Sequence, residues 1–165
     1  MPQTNGDITN RGALYTPEQR QRRDNTVWTI VQGILAPLQF LVFIISAVLV
    51  VRYLTTGAGY TAATLSILVK TGFLYAIMVT GAIWEKVVFG QYLLAPAFFW
   101  EDVVSFVVIA LHTAYLIALY YNLLGPDQLM VLALAAYVTY AINALQFLLK
   151  LRAARLQSQQ EVQYV

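Results

Sequence analysis

From Asn25 to Val51 the chain runs for 27 residues without one charged side chain. A helix needs about 20 apolar residues to cross a bilayer, and soluble core helices rarely stay uncharged over a greater length. Trp28 near the start of the run and Tyr53 just past its end are amphipathic rings of the kind that favour the two headgroup layers. The stretch is read as a first membrane span over residues 28–54. Composition agrees, since 59% of the 165 residues are hydrophobic and 11% charged, against about a quarter charged in soluble domains.

Three further spans follow. Thr55 to Gly59 holds two threonines and two glycines and reads as a turn. The second span, residues 61–89, is interrupted by Lys70, which lies ~13 Å along the helix axis. Its ammonium either snorkels to the surface or meets a partner inside the bundle. The third span covers residues 100–124 and the fourth 128–149. Only Gly125-Pro126-Asp127 separates them, with glycine to end one helix and proline to open the next, so the two form a tight antiparallel hairpin. The expected architecture is an all-α integral membrane four-helix bundle over residues 14–155. Residues 1–13 and 156–165 read as disordered tails.

Basic residues set the orientation. Arg11, Arg20, Arg22 and Arg23 precede the first span, Lys150, Arg152 and Arg155 follow the last, and Lys86 lies by the middle connection. Eight of the ten basic residues thus fall on one side, which the positive-inside rule makes cytoplasmic, with both termini there. Thr16-Pro17-Glu18-Gln19 has the form of a capping box. The arginine-rich helix that it opens is expected to lie on the anionic inner surface, or else to be a solvated tail.

Polar residues inside spans are costly, so their spacing points to a site. Gln32, Gln39 and Ser46 recur at sevens and share one helix face. Glu101, Ser105, His112 and Tyr115 form a second stripe, and Thr139, Asn143, Gln146 and Lys150 a third. For Gln39, Ser46 and Thr139 the simpler reading is hydrogen bonding between helices. Glu85, Glu101 and Asp102 flank one connection, among Trp84, Phe98, Phe99 and Trp100. Burial disfavours a charged carboxyl, and a general acid needs the neutral one. The competing reading is that these acids are solvated, or paired with Lys86. The connection from Gln91 to Trp100 is too apolar for a solvated loop, and reads either as an interfacial aromatic belt or as a platform for a flat ligand.

His112 is the only histidine, so one chain cannot hold a haem between two histidines. It fits either a single axial ligand for a magnesium tetrapyrrole or a neutral imidazole bonded to a neighbouring helix. Without cysteine there are no disulfides or thiolate sites. No phosphate loop, metal-ligand spacing or Ser/His/Asp set is present. A net charge of +2 is too small to suggest nucleic acid.

The stretches Leu14-Tyr15-Thr16-Pro17-Glu18-Gln19-Arg20, Ala36-Pro37-Leu38-Gln39-Phe40 and Thr80-Gly81-Ala82-Ile83-Trp84-Glu85-Lys86-Val87-Val88-Phe89-Gly90 resemble the 3-vinyl bacteriochlorophyllide hydratase family, 2-vinyl in the older numbering. So do Ala95-Pro96-Ala97-Phe98-Phe99-Trp100-Glu101-Asp102, Leu111-His112-Thr113-Ala114-Tyr115 and Phe147-Leu148-Leu149-Lys150-Leu151-Arg152-Ala153-Ala154-Arg155. The resemblance spans about residues 14–155. It implies hydration of the C3 vinyl group of a magnesium tetrapyrrole of chlorophyllide type to a 1-hydroxyethyl group, in a bacterial cytoplasmic or intracytoplasmic photosynthetic membrane. It brings no catalytic residues with it.

The candidate site therefore rests on the residues themselves. Glu85 or Glu101 is the candidate acid, with Asp102 or Gln39 placing water, and His112 ligating magnesium or acting as base. Gln39, Trp84, Phe99, Trp100 and Asn143 are the candidate substrate contacts. Protonating a vinyl group needs no cofactor. Membrane lipid is an expected partner, as are further copies of the chain or other pigment-biosynthesis enzymes. A non-catalytic pigment carrier or assembly factor would use the aromatic platform and His112 without the acids. A small transporter subunit would line its pathway with Lys70 and His112.

Overall fold

The computed structural model describes residues 14–163, so the expected tail over residues 1–13 lies outside it. Five helices follow one another: α1 (Pro17–Asn25), α2 (Val27–Thr56), α3 (Tyr60–Phe89), α4 (Phe99–Tyr120) and α5 (Pro126–Gln163). No strand occurs among the described residues. Four helices are long and apolar enough to cross a membrane, over Val27–Thr56, Tyr60–Phe89, Phe99–Tyr120 and Pro126–Leu156.

Local chemistry sets the ends. The capping box forms as its sequence requires: the Gln19 N–H donates to Thr16 Oγ1 at 3.2 Å, and the Thr16 N–H to Gln19 Oε1 at 2.9 Å. Gly57 and Gly90, both left-handed, stop α2 and α3 by returning their N–H groups to Tyr53 O and Lys86 O. The end of α4 departs from expectation. It falls at Tyr120 and not at 124, because Asn122 is already left-handed at φ 52°. The Leu123 N–H then bonds Ala118 O at 2.9 Å and the Asn122 N–H bonds Leu119 O at 3.3 Å, a Schellman ending made by asparagine. The α5 helix runs on to Gln163, through residues 156–163 that were expected to be a tail. Once a long apolar helix is nucleated, a glutamine-rich extension propagates it without a fresh nucleation cost.

The helices pair as two hairpins, α2 with α3 and α4 with α5. The hairpins meet chiefly along α2 and α5 and only sparsely along α3 and α4. Ala63, Ala118, Ala133 and Ala136 are buried at the centre and let the backbones approach. Polar ties cross the seams: Ser46 Oγ lies 2.7 Å from Ser66 Oγ and 2.5 Å from Tyr137 Oη, and Gln32 Nε2 donates to Thr80 Oγ1 at 2.7 Å. The outer faces carry exposed Ile30, Ile34, Leu41, Ile45 and Val48 on α2 alone, surface that suits hydrocarbon.

The α1 helix folds back onto the end of α3. Buried Tyr15 stacks on Phe89 with centroids 5.8 Å apart, and Arg22 Nη1 donates to Val88 O at 3.3 Å. Ala154 of α5 packs on the same cluster, so both ends of the described chain sit at one end of the bundle. Burial raises the Tyr15 phenol above its ordinary value, against the opposing pull of Arg23.

Two outcomes are expected. Asn122→Val, which forces a β-branched residue left-handed, lowers stability by about 1–2 kcal/mol, whereas Asn122→Gly does not; unfolding in detergent measures both. The docked phenol ionises later than a free one. The stability that Tyr15 contributes is therefore complete below pH about 10 and is lost as the pH climbs through the raised value. Tyr15→Phe removes that dependence, as an alkaline unfolding titration would record.

Candidate functional site

At the α1 end of the bundle, residues 90–98 connect α3 to α4 over three buried acids. Glu85 closes α3, and Glu101 and Asp102 open α4. Glu85 is 5% exposed and Asp102 3%, and their carboxyls face each other closely enough to hydrogen-bond. Two consecutive amides of the connection turn down onto this pair. The Leu94 N–H donates to Asp102 Oδ2 at 2.7 Å, and the Ala95 N–H to Glu85 Oε2 at 3.3 Å. What allows both is Leu94 at φ 60°. A left-handed turn directs successive N–H groups to one side, in the geometry of an anion-binding nest. For a leucine that conformation costs about 1–2 kcal/mol.

Adjacent residues on a helix point about 100° apart, so Glu101 faces α5 while Asp102 faces α3. Lys150 Nζ donates to Glu101 Oε2 at 2.7 Å and also to Ala97 O. Asn143 Nδ2 donates to Glu101 O at 2.8 Å, and the Ser105 hydroxyl lies within hydrogen-bond distance of that oxygen and of Asn143 Oδ1. The acids are thus neither solvated nor paired with Lys86, whose ammonium donates to Gly90 O at 2.8 Å.

The aromatic residues divide. Phe98, 2% exposed, is the hub of a packed cluster with ring centroids of Trp84, Phe89 and Phe147 at 5.7–5.9 Å. Trp84 turns inward, its Nε1–H donating to Thr29 Oγ1 at 2.9 Å. Phe99 and Trp100 turn outward, edge to face at 5.4 Å, with Trp100 67% exposed. Tyr92 and Leu94 of the connection are exposed as well.

Other sequence candidates lie elsewhere. The bond from Gln32 to Thr80 sets the register of α2 on α3, and places Gln39 roughly opposite residue 73, or ~18 Å along the axis from Glu85. Gln39 is buried, and its Oε1 has no hydrogen-bond partner; it cannot place water at Glu85. His112 is ~16 Å from Glu101 along α4. Its Nδ1–H donates to Val108 O at 2.7 Å, which leaves Nε2 to accept from Lys70 Nζ at 2.7 Å. With both ring nitrogens engaged, His112 offers no lone pair to a metal. Lys70 therefore does not snorkel: it is fully buried, with the rings of Tyr140 and Tyr137 at 4.0 and 5.4 Å. Beyond this layer, Leu68, Thr113, Leu116 and Tyr120 line an open, almost wholly apolar groove of about 600 Å3, remote from the acids and without groups for acid–base work. No cluster of three metal-ligating side chains occurs among the described residues.

Sequence reasoning gathered the acids at one connection but missed the partner of Glu101 and the two amides. The Lys150 position on the polar stripe of α5, four residues after Gln146 and seven after Asn143, was the signal for the first. Nothing in a leucine announces a left-handed turn.

For the buried pair, Lys70→Met or His112→Leu alone lowers stability by about 1–3 kcal/mol, since each strands the other group. The double variant returns close to the wild type. Denaturation of the four proteins in detergent gives the coupling.

A family model described as 2-vinyl bacteriochlorophyllide hydratase matches residues 15–153. The chain is similar to a protein of that name from Rhodobacter capsulatus, 71% identical over 152 residues, which cover 92% of this chain and 88% of the relative. It is also similar to a protein of the same name from Cereibacter sphaeroides, 74% identical over 144 residues, 87% of this chain and 89% of that one. No solved structure matches the chain.

Proposed function

The chain belongs to the 2-vinyl bacteriochlorophyllide hydratase family, and from that membership we propose that it adds water across the C3 vinyl group of a chlorophyllide-type pigment to give the 1-hydroxyethyl product. The observation that carries the mechanism is the Glu85–Asp102 pair beneath the Leu94 and Ala95 amides. A hydrogen bond between two carboxyls exists only when one of them holds a proton. Asp102 takes the shorter amide bond and is the better-held anion, so Glu85 carries the proton.

In the reaction, Glu85 gives this proton to the terminal vinyl carbon, which becomes a methyl group. The cation left on the inner carbon is delocalised into the macrocycle. Water attacks that carbon and loses a proton to the carboxylate pair, which returns to its starting state. One H and one OH are added, and nothing is oxidised or reduced. Glu101, bound to the Lys150 ammonium, is an acceptor and not the donor. The exposed rings of Tyr92, Phe99 and Trp100 are the surface offered to the flat pigment at this end of the bundle. The magnesium is part of the substrate and takes no ligand from His112.

The acid-bearing end also carries Arg22, Arg23, Lys86, Lys150, Arg152 and Arg155. The positive-inside rule makes that end cytoplasmic in a bacterial inner membrane, with both termini and α1 at the inner surface.

The test is incubation of membranes with the vinyl pigment, scoring the mass gain of one water and the blue shift of the red absorption band. Glu85→Gln and Asp102→Asn should each lower kcat by roughly 10²–10⁴-fold, with pigment still bound. Near-normal turnover in both variants ends the acid-pair mechanism, and binding without conversion by the wild type would make the protein a carrier.

A further inference from the structure

We infer that Lys150 is a positioning residue for the acid pair, holding both Glu101 and the Ala97 end of the connection so that Glu85 and Asp102 stay joined across α3 and α4. The inference rests on the hydratase reading for its chemistry, although its geometry stands alone. Three carboxyls lie buried close to the connection, and the ammonium of Lys150 pairs with one of them, Glu101. It bonds Glu101 Oε2 at 2.7 Å, and Glu101 is the chain neighbour of Asp102. Without that ammonium, Glu101 would stand unneutralised one residue from Asp102. Two acids that should share one proton would then compete with a third.

The same Nζ donates to Ala97 O and sits 5.4 Å from the centre of the Phe98 ring. Ala97 follows closely on the two amides that grip the pair, and a single turn joins them, closed by the Phe98 N–H donating to Ala95 O at 2.8 Å. An anchor at Ala97 is therefore an anchor for Leu94 and Ala95. From the other side, Asn143 and Ser105 hold the Glu101 carbonyl, fixing the rotation of α4 that aims Asp102 at α3. Lys150 touches none of the reacting atoms. Its work is done through Glu101 and the connection.

The experiment compares full-length wild type, K150M, K150R and K150M/E101Q in membranes, with kcat and KM for the vinyl pigment and detergent unfolding for each. A displaced carboxylate pair costs kcat, roughly tenfold to a hundredfold in K150M, while KM stays within about twofold because the exposed rings offered to the pigment are untouched. K150R recovers most of the loss, and K150M/E101Q, which removes the stranded carboxylate, is faster than K150M. The proposal is overturned by wild-type kcat in K150M. It is equally overturned if kcat and unfolding midpoint fall together with no recovery in K150R.

A readout independent of turnover separates failure of this idea from failure of the hydratase reading. The infrared C=O stretch of a protonated carboxyl, identified by its loss in E85Q, should shift in K150M and return in K150R. An unshifted band sinks the positioning role even if the wild type proves to be no hydratase.

Discussion

A carboxyl withdrawn from water has to find donors or keep a proton, and the acid end of this bundle is organised around that requirement. The α3 and α4 helices approach each other only sparsely, so packing alone does not hold Glu85 against Asp102. The connection between them does so instead, by twisting Leu94 left-handed and turning two backbone amides inward. The strain of about 1–2 kcal/mol at that residue is offset by donors that two buried acids would otherwise lack. The connection is then the roof of the site, and its apolar composition follows from where it lies.

The rest of the bundle follows a similar rule with different partners. Each seam between helices carries a few polar ties, from Gln32 with Thr80 to Ser46 with Tyr137 and Lys70 with His112. Apolar side chains gain little by leaving hydrocarbon for the interior of a bundle, so these ties and the close approach of alanines fix which faces meet. The outward residues are left to the lipid.

How much of this the sequence disclosed depended on whether a feature is local. Span number and rough position were legible, because an uncharged run of 27 residues has few other uses. The capping box was legible for the same local reason. The end of α4 was not: Gly125 is the conventional terminator, but Asn122, able to adopt left-handed geometry, came first. Stripes on single helices found Ser105, Asn143 and Lys150 on the right faces, but rotation of one helix against another is not written in either. Hence Glu101 was grouped with Asp102 although they face different neighbours, and Gln39 was placed with acids far from it along the axis. Two tryptophans sixteen positions apart looked equivalent, yet Trp84 packs inward on Phe98 while Trp100 faces out. Membership of a family gave the reaction, which no spacing of residues could have supplied.

Lys70 carries a consequence for how such a chain enters its membrane. An ammonium near the middle of a helix opposes insertion by about 2.5–3.5 kcal/mol, and α3 is less apolar than the α2 that precedes it. Its relief is the imidazole of His112, which belongs to α4 and leaves the ribosome some forty residues later. Until then the first hairpin holds an unanswered cation, so its second arm, α3, is settled only when α4 arrives beside it. The two hairpins that pack together in the finished architecture are therefore coupled in biogenesis as well.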